Sequence, residues 1–202
     1  MNGLWKFDHV VFRAINVDMH RDWLDPWFLI LSYSGLGLVQ AVAIFCLLIW
    51  KETRRFFWPL ILTLFVAGIP AAQGVKALLG RDRPSNLGFA IRQEDWLANS
   101  FPSGHSMLSA VVYLTIGTLL ASFVRERRVK FYFLSVALAL TFLVGVSRVF
   151  MGVNYPTDVL AGWSAGLVWA LICWLAARYL QRRGAVESDI ATGPQEKSEG
   201  SS

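Results

Sequence analysis

The sequence predicts an all-α, polytopic membrane protein, in which five transmembrane helices form one bundle and an amphipathic helix lies at the N-terminus. Composition is the first observation behind this prediction. Of the 202 residues, 55% are hydrophobic and 16% are charged, whereas about 25% of the residues in a soluble domain are charged. Disorder requires low hydrophobicity, so most of this chain is folded, and it is too apolar for an ordinary soluble domain.

Charge-free runs are the second observation. Five segments contain no Asp, Glu, Lys, Arg or His, and they are 25, 20, 19, 17 and 19 residues long. A helix needs about 20 apolar residues to cross the hydrocarbon core of a bilayer. A single span must also satisfy its own backbone hydrogen bonds, which a helix does. The predicted spans are 26–50, 56–75, 106–124, 131–147 and 159–177.

The two ends of the chain differ from these spans. Residues 4–24 mix apolar and charged side chains, which predicts an amphipathic helix in the membrane interface. Its apolar and charged residues interleave as Leu4, Phe7, Val11 and Ile15 with Lys6, Asp8 and Arg13. The final segment, 184–202, is polar and rich in Gly and Ser, as disordered segments are. We therefore expect one membrane domain, 1–183, followed by a disordered tail.

The uneven distribution of Lys and Arg is the third observation. Ten of the nineteen lie at one end of the predicted spans, in the segments 51–55, 125–130 and 178–183. The positive-inside rule makes that face cytoplasmic. The C-terminal tail then lies in the cytoplasm and the N-terminal helix lies outside. Topology thus explains most of the net charge of +5, and we expect no nucleic-acid partner.

Ionisable residues mark four span ends at the opposite, outer face. Lys76 follows the second span and Arg148 follows the fourth. His105 precedes the third span and Asp158 precedes the fifth. Ionisable groups at membrane depth are costly and are generally functional. This face of the bundle is therefore the predicted site.

Phosphate is the simplest ligand for Lys76, Arg83 and Arg148 together, because Arg offers a planar fork of donors and Lys a point charge. The segment Pro-Ser-Gly-His at 102–105 opens the third span, and a helix N-terminus presents N–H groups to an anion. His105 can give a proton to a leaving oxygen. Two further basic residues of this face are expected to be solvated in the loop: Arg81 and Arg92.

Three segments at this face resemble the signatures of the type 2 phosphatidic-acid phosphatase superfamily. The first signature is a Lys, six residues, then Arg-Pro, and it matches 76–84. The second, Pro-Ser-Gly-His, matches 102–105. The third is Ser-Arg, five residues, His, three residues, Asp, and it matches 147–158 at every defined position except Asn154. All three occur in order at span ends, which makes the resemblance specific.

This resemblance implies a role for each signature residue. His105 would be the general acid for the leaving group, and Asp158 would orient and charge-stabilise the nucleophile. The groups implied to hold the phosphoryl oxygens are the side chains of Lys76, Arg83 and Arg148 and the backbone of Ser103 and Gly104. Their positive charge does the work that Mg²⁺ often does elsewhere. We therefore expect neither a metal nor a cofactor.

Asn154 occupies the position of the nucleophilic His, which in the family forms a phosphohistidine. A carboxamide nitrogen is a poor nucleophile because its lone pair is delocalised, and covalent catalysis requires an activated one. Three interpretations remain open. Asn154 is an engineered change that stalls the enzyme, or it is natural and leaves a lipid-phosphate binder, or water attacks phosphorus directly.

The expected function is hydrolysis of the phosphate or diphosphate of a membrane lipid at the outer face of the cytoplasmic membrane. Undecaprenyl diphosphate is the first choice of substrate, and phosphatidylglycerophosphate and phosphatidic acid come next. A non-catalytic lipid-phosphate binding protein and a lipid phosphotransferase are the alternatives. The expected partners are the lipid bilayer and the lipid-phosphate substrate. The sequence leaves the oligomeric state open.

Overall fold

The computed structural model describes residues 3–36, 74, 81–84, 99–122 and 124–182. These residues are mainly helical, and an isolated bridge between Asp82 and Asn99 is their one β-type pairing. A π-helical turn, Ala14–Asp18, follows the first helix, and a short 3₁₀ turn, Asp22–Leu24, precedes the second. The α-helices with described bounds are α1 (Gly3–Arg13), α2 (Asp25–Ser34), α3 (Gly104–Ser122), α4 (Arg127–Phe150) and α5 (Pro156–Arg182).

Helix α3 forms the centre of the described bundle, because it packs extensively against both α4 and α5. Two glycines of α5 let the backbones approach. A Cβ on Gly162 would lie 2.5 Å from the carbonyl oxygen of Ser103, and one on Gly166 would lie 2.6 Å from that of Met107. Small residues four apart are a common device for close helix contacts in membranes. Helix α2 packs against α4, and the carbonyl oxygen of its Ser34 accepts from the Tyr113 hydroxyl of α3.

The described bundle exposes many apolar side chains and buries many polar ones beside an apolar core that includes Val111, Val144 and Phe150. Large apolar side chains on α4 and α5 face outward, and Leu138 and Leu167 are 61% and 52% exposed. Polar side chains occupy the interior, where they are buried: Ser103, Ser106, Ser109, Thr141, Ser147, Arg148, Asn154 and Asp158. Exposed apolar side chains and buried polar ones are the arrangement expected of a bundle that is solvated by lipid.

The structure places three of the five predicted spans in helices. The charge-free runs that begin at 106, 131 and 159 lie in α3, α4 and α5, and α3 is described to Ser122. The run 26–50 is described only to residue 36, and of 56–75 only Gly74 is described. The count of five is therefore not confirmed. By length and composition, α4 is the one helix among the described residues that could cross a membrane, and Pro156–Ile172 is a shorter apolar stretch.

The N-terminal segment docks on the protein through a face that mixes polar and apolar side chains, since Phe12 packs against Val149, Tyr155 and Val159. Asp8, Phe12 and Asn16 recur at a spacing of four and are buried, with Asp8 only 1% exposed. Leu4 and Phe7, two of the apolar residues of the predicted amphipathic pattern, are exposed. The Asn16 side chain donates to the carbonyl oxygen of Phe150 at the end of α4. Asp8 is thus a buried docking residue, because donors from two other segments meet it.

A five-residue turn, 151–155, joins α4 to α5 and carries Asn154 of the third signature. Gly152 adopts a left-handed backbone conformation with φ of 73°, which glycine tolerates best. The N–H groups of Val153 and Asn154 both donate to the carbonyl oxygen of Arg148, at 3.2 and 3.3 Å. The turn therefore folds back on the last turn of α4. Pro156 then opens α5, where its fixed φ suits a first helical position.

Candidate active site

Asn154 lies at the centre of the candidate site and is 4% exposed. Its side-chain nitrogen donates to the carbonyl oxygen of Ser100 at 2.8 Å. Its side-chain oxygen accepts from the Ser103 hydroxyl at 3.3 Å and from Nε of Arg148 at 3.4 Å. The structure thus brings residues of the second and third signatures into direct contact.

Arg148 is buried in the last turn of α4 and is 2% exposed. One end of its guanidinium donates from Nη1 to the hydroxyl of Ser32 on α2 at 2.7 Å. The other end, Nε, faces Asn154. A planar guanidinium fixed at both ends is an oriented positive charge, which suits it to an anion with defined geometry.

Ser103 ends the loop before α3 and is 1% exposed. Its backbone N–H donates to the carbonyl oxygen of Asp158 at 3.0 Å, which joins the start of α3 to the start of α5. Its hydroxyl, and not this N–H group, is therefore the Ser103 donor that faces Asn154. The Ser106 hydroxyl donates to the Ser103 oxygen at 2.9 Å and fixes its position. Gly104 and His105 form the first turn of α3, where both are half-buried.

Arg83 is 8% exposed and lies in a short segment that is paired with the residues before α3. The pairing runs through the Asp82–Asn99 bridge and through the Ser100 N–H, which donates to the carbonyl oxygen of Arg81 at 2.7 Å. Because Ser100 also accepts from Asn154, this pairing links the first signature to the site. Lys76 lies outside the described residues, as do Arg92 and most of the loop 85–101.

Asp158 is fully buried in the first turn of α5. Its Oδ1 accepts from Nη1 of Arg81 at 2.8 Å, and its Oδ2 accepts from the backbone N–H of Tyr155 at 2.8 Å. The Asp158 side chain therefore holds the backbone of the turn at Tyr155. The Asn154 side chain donates to the carbonyl oxygen of Ser100.

Arg81 is a central residue of the described site, and its expected place in a solvated loop is wrong. Its side chain is 24% exposed and bridges Asp158 and Asp8, with 2.6 Å between Nη2 and the Asp8 Oδ2. The guanidinium also lies 4.2 Å from the centre of the Tyr155 ring. Burial raises the pKa of the Tyr155 hydroxyl, and the nearby Arg81 charge offsets part of that rise.

Sequence reasoning misses several residues that hold this site together. Ser32 lies in an apolar run, and Ser100 and Thr157 carry no motif of their own. The amphipathic pattern groups Asp8 with its charged face, where a single carboxylate is unremarkable. The one sequence signal for Arg81 is its position two residues before a signature arginine.

Comparison with known proteins identifies the family of this chain. The family model for the PAP2 superfamily matches residues 56–182, more than half of the chain. An undecaprenyl-diphosphatase of Sulfolobus acidocaldarius is 30% identical over 162 residues, which cover 79% of this chain and 73% of that protein. The phosphatidylglycerophosphatase B of Bacillus subtilis is 44% identical over 72 residues, and the match covers 34% of each chain.

The fold also matches a solved structure. A crystal structure of a transmembrane PAP2-type phosphatidylglycerolphosphate phosphatase from Bacillus subtilis superimposes with a TM-score of 0.73 and 27% identity. The superposition covers 90% of both chains. Family match, sequence relatives and fold agree, and the chain belongs to the PAP2 superfamily.

Proposed function

We propose that this protein binds a phosphorylated membrane lipid and hydrolyses its phosphate or diphosphate group, with Asn154 limiting the rate of turnover. The observation that carries the proposal is the buried contact of Asn154 with both the Ser103 hydroxyl and Nε of Arg148. Superfamily membership and the phosphatase relatives support lipid-phosphate hydrolysis as the reaction class.

The proposed binding site holds the phosphoryl group by positive charge. Arg148 supplies an oriented guanidinium, and Arg83 and Lys76 supply the other two cations. Charges fixed in advance in a site with little water stabilise the charge that develops on the transferring group. The N–H groups in the first turn of α3 add the positive end of the helix dipole.

The proposed reaction breaks the bond between phosphorus and the leaving oxygen. His105, in the first turn of α3, gives its proton to that oxygen. With a His at position 154, its nitrogen would attack phosphorus, and water would then release inorganic phosphate from the phosphohistidine. With Asn154, water must attack directly, because the carboxamide nitrogen has no available lone pair and already donates to Ser100.

Undecaprenyl diphosphate is the proposed substrate of first choice, and phosphatidylglycerophosphate and phosphatidic acid follow. The long alignment with an undecaprenyl-diphosphatase supports this order. The relative named phosphatidylglycerophosphatase B supports the second choice, although its match is shorter. The loop 85–101 would select among these lipids.

We place the site at the outer face of the cytoplasmic membrane and the C-terminus in the cytoplasm. The support is the cluster of Lys and Arg at 51–55, 125–130 and 178–183, at the other end of the predicted spans from the signatures. A lipid-phosphate binding protein without turnover is the second candidate, and Asn154 is the observation that favours it.

Phosphate release in detergent tests the proposal. The purified Asn154 chain and its Asn154→His variant are each incubated with short-chain forms of the three lipids, and inorganic phosphate is measured with and without an added acceptor lipid. We expect slow release by the Asn154 chain and faster release by the Asn154→His variant. Vanadate binding without release by either chain would favour the binding protein. Transfer to the acceptor lipid would identify a phosphotransferase.

A further inference from the structure

We infer that Asp8, on the N-terminal helix, is a positioning residue for the turn 151–155 and the first turn of α5, which carry Asn154 and Asp158. The inference rests on the proposed function only in that this turn is taken as part of the reaction site. Asp8 is 1% exposed, although it lies in a helix whose neighbouring residues are largely exposed. A buried carboxylate is costly unless donors surround it, so its position has to be explained by what it binds.

Three donors explain the position of Asp8. Its Oδ1 accepts from the backbone N–H of Thr157 at 2.9 Å. Its Oδ2 accepts from the Thr157 hydroxyl at 2.6 Å and from Nη2 of Arg81 at 2.6 Å. All three donors belong to segments that form the candidate site, and none belongs to α1.

The bond to Thr157 supplies a cap that the local sequence of α5 lacks. The first N–H groups of a helix have no partner within the helix. A side-chain oxygen on the preceding residue normally accepts from one of them. Tyr155 precedes Pro156 and has no side-chain oxygen that reaches back in this way. Asp8 provides the missing acceptor from another helix, and its negative charge suits the helix dipole.

The bond to Arg81 couples Asp8 to Asp158. Arg81 donates from Nη2 to Asp8 and from Nη1 to both Asp158 and the Thr157 hydroxyl. Two carboxylates therefore share the Arg81 guanidinium. The bond to either carboxylate fixes the position of the guanidinium for the other. Asp158 in turn accepts from the Tyr155 N–H and its carbonyl oxygen accepts from the Ser103 N–H. The chain of bonds runs from α1 to the residues that contact Asn154.

Loss of Asp8 should therefore loosen this turn without unfolding the bundle. The variants are Asp8→Asn, which removes the charge at constant size, and Asp8→Ala, which also removes the cap. Asp18→Asn is the matched control, since Asp18 lies on the same N-terminal segment and is exposed. It removes the same charge without touching the network.

Hydrogen exchange of the full chain in detergent measures the structural half of the inference. Mass spectrometry follows the backbone amides of 153–158 and, as an internal standard, those of 135–145 in α4. We expect Asp8→Ala to speed exchange at 153–158 by about tenfold or more, Asp8→Asn to act in the same direction, and the α4 amides to stay unchanged. Unchanged exchange at 153–158 in Asp8→Ala would overturn the inference, whatever the protein hydrolyses. So would an equal increase in both segments, because that would be general destabilisation.

Turnover measures the catalytic half, in the Asn154→His background where the proposed function predicts activity. We expect Asp8→Asn to lower kcat by about tenfold to a hundredfold, which corresponds to the free energy of one hydrogen bond between charged groups. KM should change by less than about threefold. Asp18→Asn should change neither. An unchanged kcat would overturn the catalytic role. An inert Asn154→His chain would instead count against the proposed function, and hydrogen exchange alone would then decide the role of Asp8.

Discussion

Arg148 and Ser32 are 116 positions apart in the sequence and joined by a 2.7 Å hydrogen bond between Nη1 and the serine hydroxyl. The bond ties the end of α4 to α2 and leaves Nε of the same guanidinium toward Asn154. A charge fixed by two contacts cannot swing away from the site to the membrane interface, as a long basic side chain at a span end otherwise can. In the proposed function, Arg148 is an arginine that holds the phosphoryl group.

Replacement of Arg148 should weaken vanadate binding by about one to two decades, because a hydrogen bond to a charged group contributes roughly 1.5–3 kcal/mol. Arg148→Lys should be nearly as harmful as Arg148→Ala, since an ammonium cannot reach both Ser32 and the ligand. Arg128→Ala is the matched control, because Arg128 is an exposed arginine of the same helix. Isothermal titration with vanadate measures all three, and wild-type affinity in Arg148→Ala would contradict the proposed phosphate site.

Contact between α3 and α5 should depend on Gly166. A Cβ there would lie 2.6 Å from the carbonyl oxygen of Met107, which a backbone atom cannot easily avoid. We expect Gly166→Ala to destabilise the folded protein by about 1–3 kcal/mol, as overpacking does, and to lower the thermal midpoint in detergent. The control is Ser164→Ala on an exposed part of α5, which should leave the midpoint nearly unchanged. Equal midpoints for the two variants would mean that the helices are not this close.

Hydrolysis should survive EDTA, because the positive charge at the site comes from arginine and lysine side chains. Among the described residues, the group of side chains with ligand-type spacing is His20, Asp22 and Asp25, outside the three signatures. Phosphate release by the Asn154→His chain is measured before and after chelation. Loss of release that Mg²⁺ restores would contradict the assignment of charge to the three cations.

A membrane-impermeant thiol reagent tests the orientation in intact cells. With Cys46 and Cys173 replaced by Ser, a cysteine at Ser85 should react, and one at Glu126 should not. The basic residues on either side of Glu126 favour the cytoplasm for that loop. The reverse pattern would place the site on the cytoplasmic face.

The sequence predicts those parts of the fold and the candidate site that depend on patterns within short segments. Charge-free runs predict α3, α4 and α5, because a helix that crosses the lipid needs consecutive apolar residues, and these are visible within one segment. Signature spacing predicts that Ser103 and Arg148 approach position 154, because both flank spans at the same face. These are properties of short segments and of the order in which they occur.

Other features could not be predicted, because they depend on which helices pack together. In the sequence, Ser32 is a single serine in an apolar run. Its contact with Arg148 arises because α2 packs on α4. Asp8 fits an amphipathic pattern equally well on a lipid-facing or a protein-facing helix, and only the docked structure shows the donors that bury it. The expectation of a solvated Arg81 fails for the same reason, since both of its carboxylate partners are more than seventy residues away.

The role of position 154 is tested most directly by phosphate release from the Asn154 chain and from the Asn154→His chain under identical conditions. In the structure, Asn154 contacts Ser103, Arg148 and Ser100, so a His there could donate to the Ser100 carbonyl oxygen and keep its other nitrogen for phosphorus. We predict that the His variant is faster by several decades, as expected from what removal of a nucleophile costs elsewhere. We also predict an acid-labile phosphoenzyme in the His variant alone. Rapid release by the Asn154 chain, or a folded His variant that binds vanadate and releases nothing, would contradict this role.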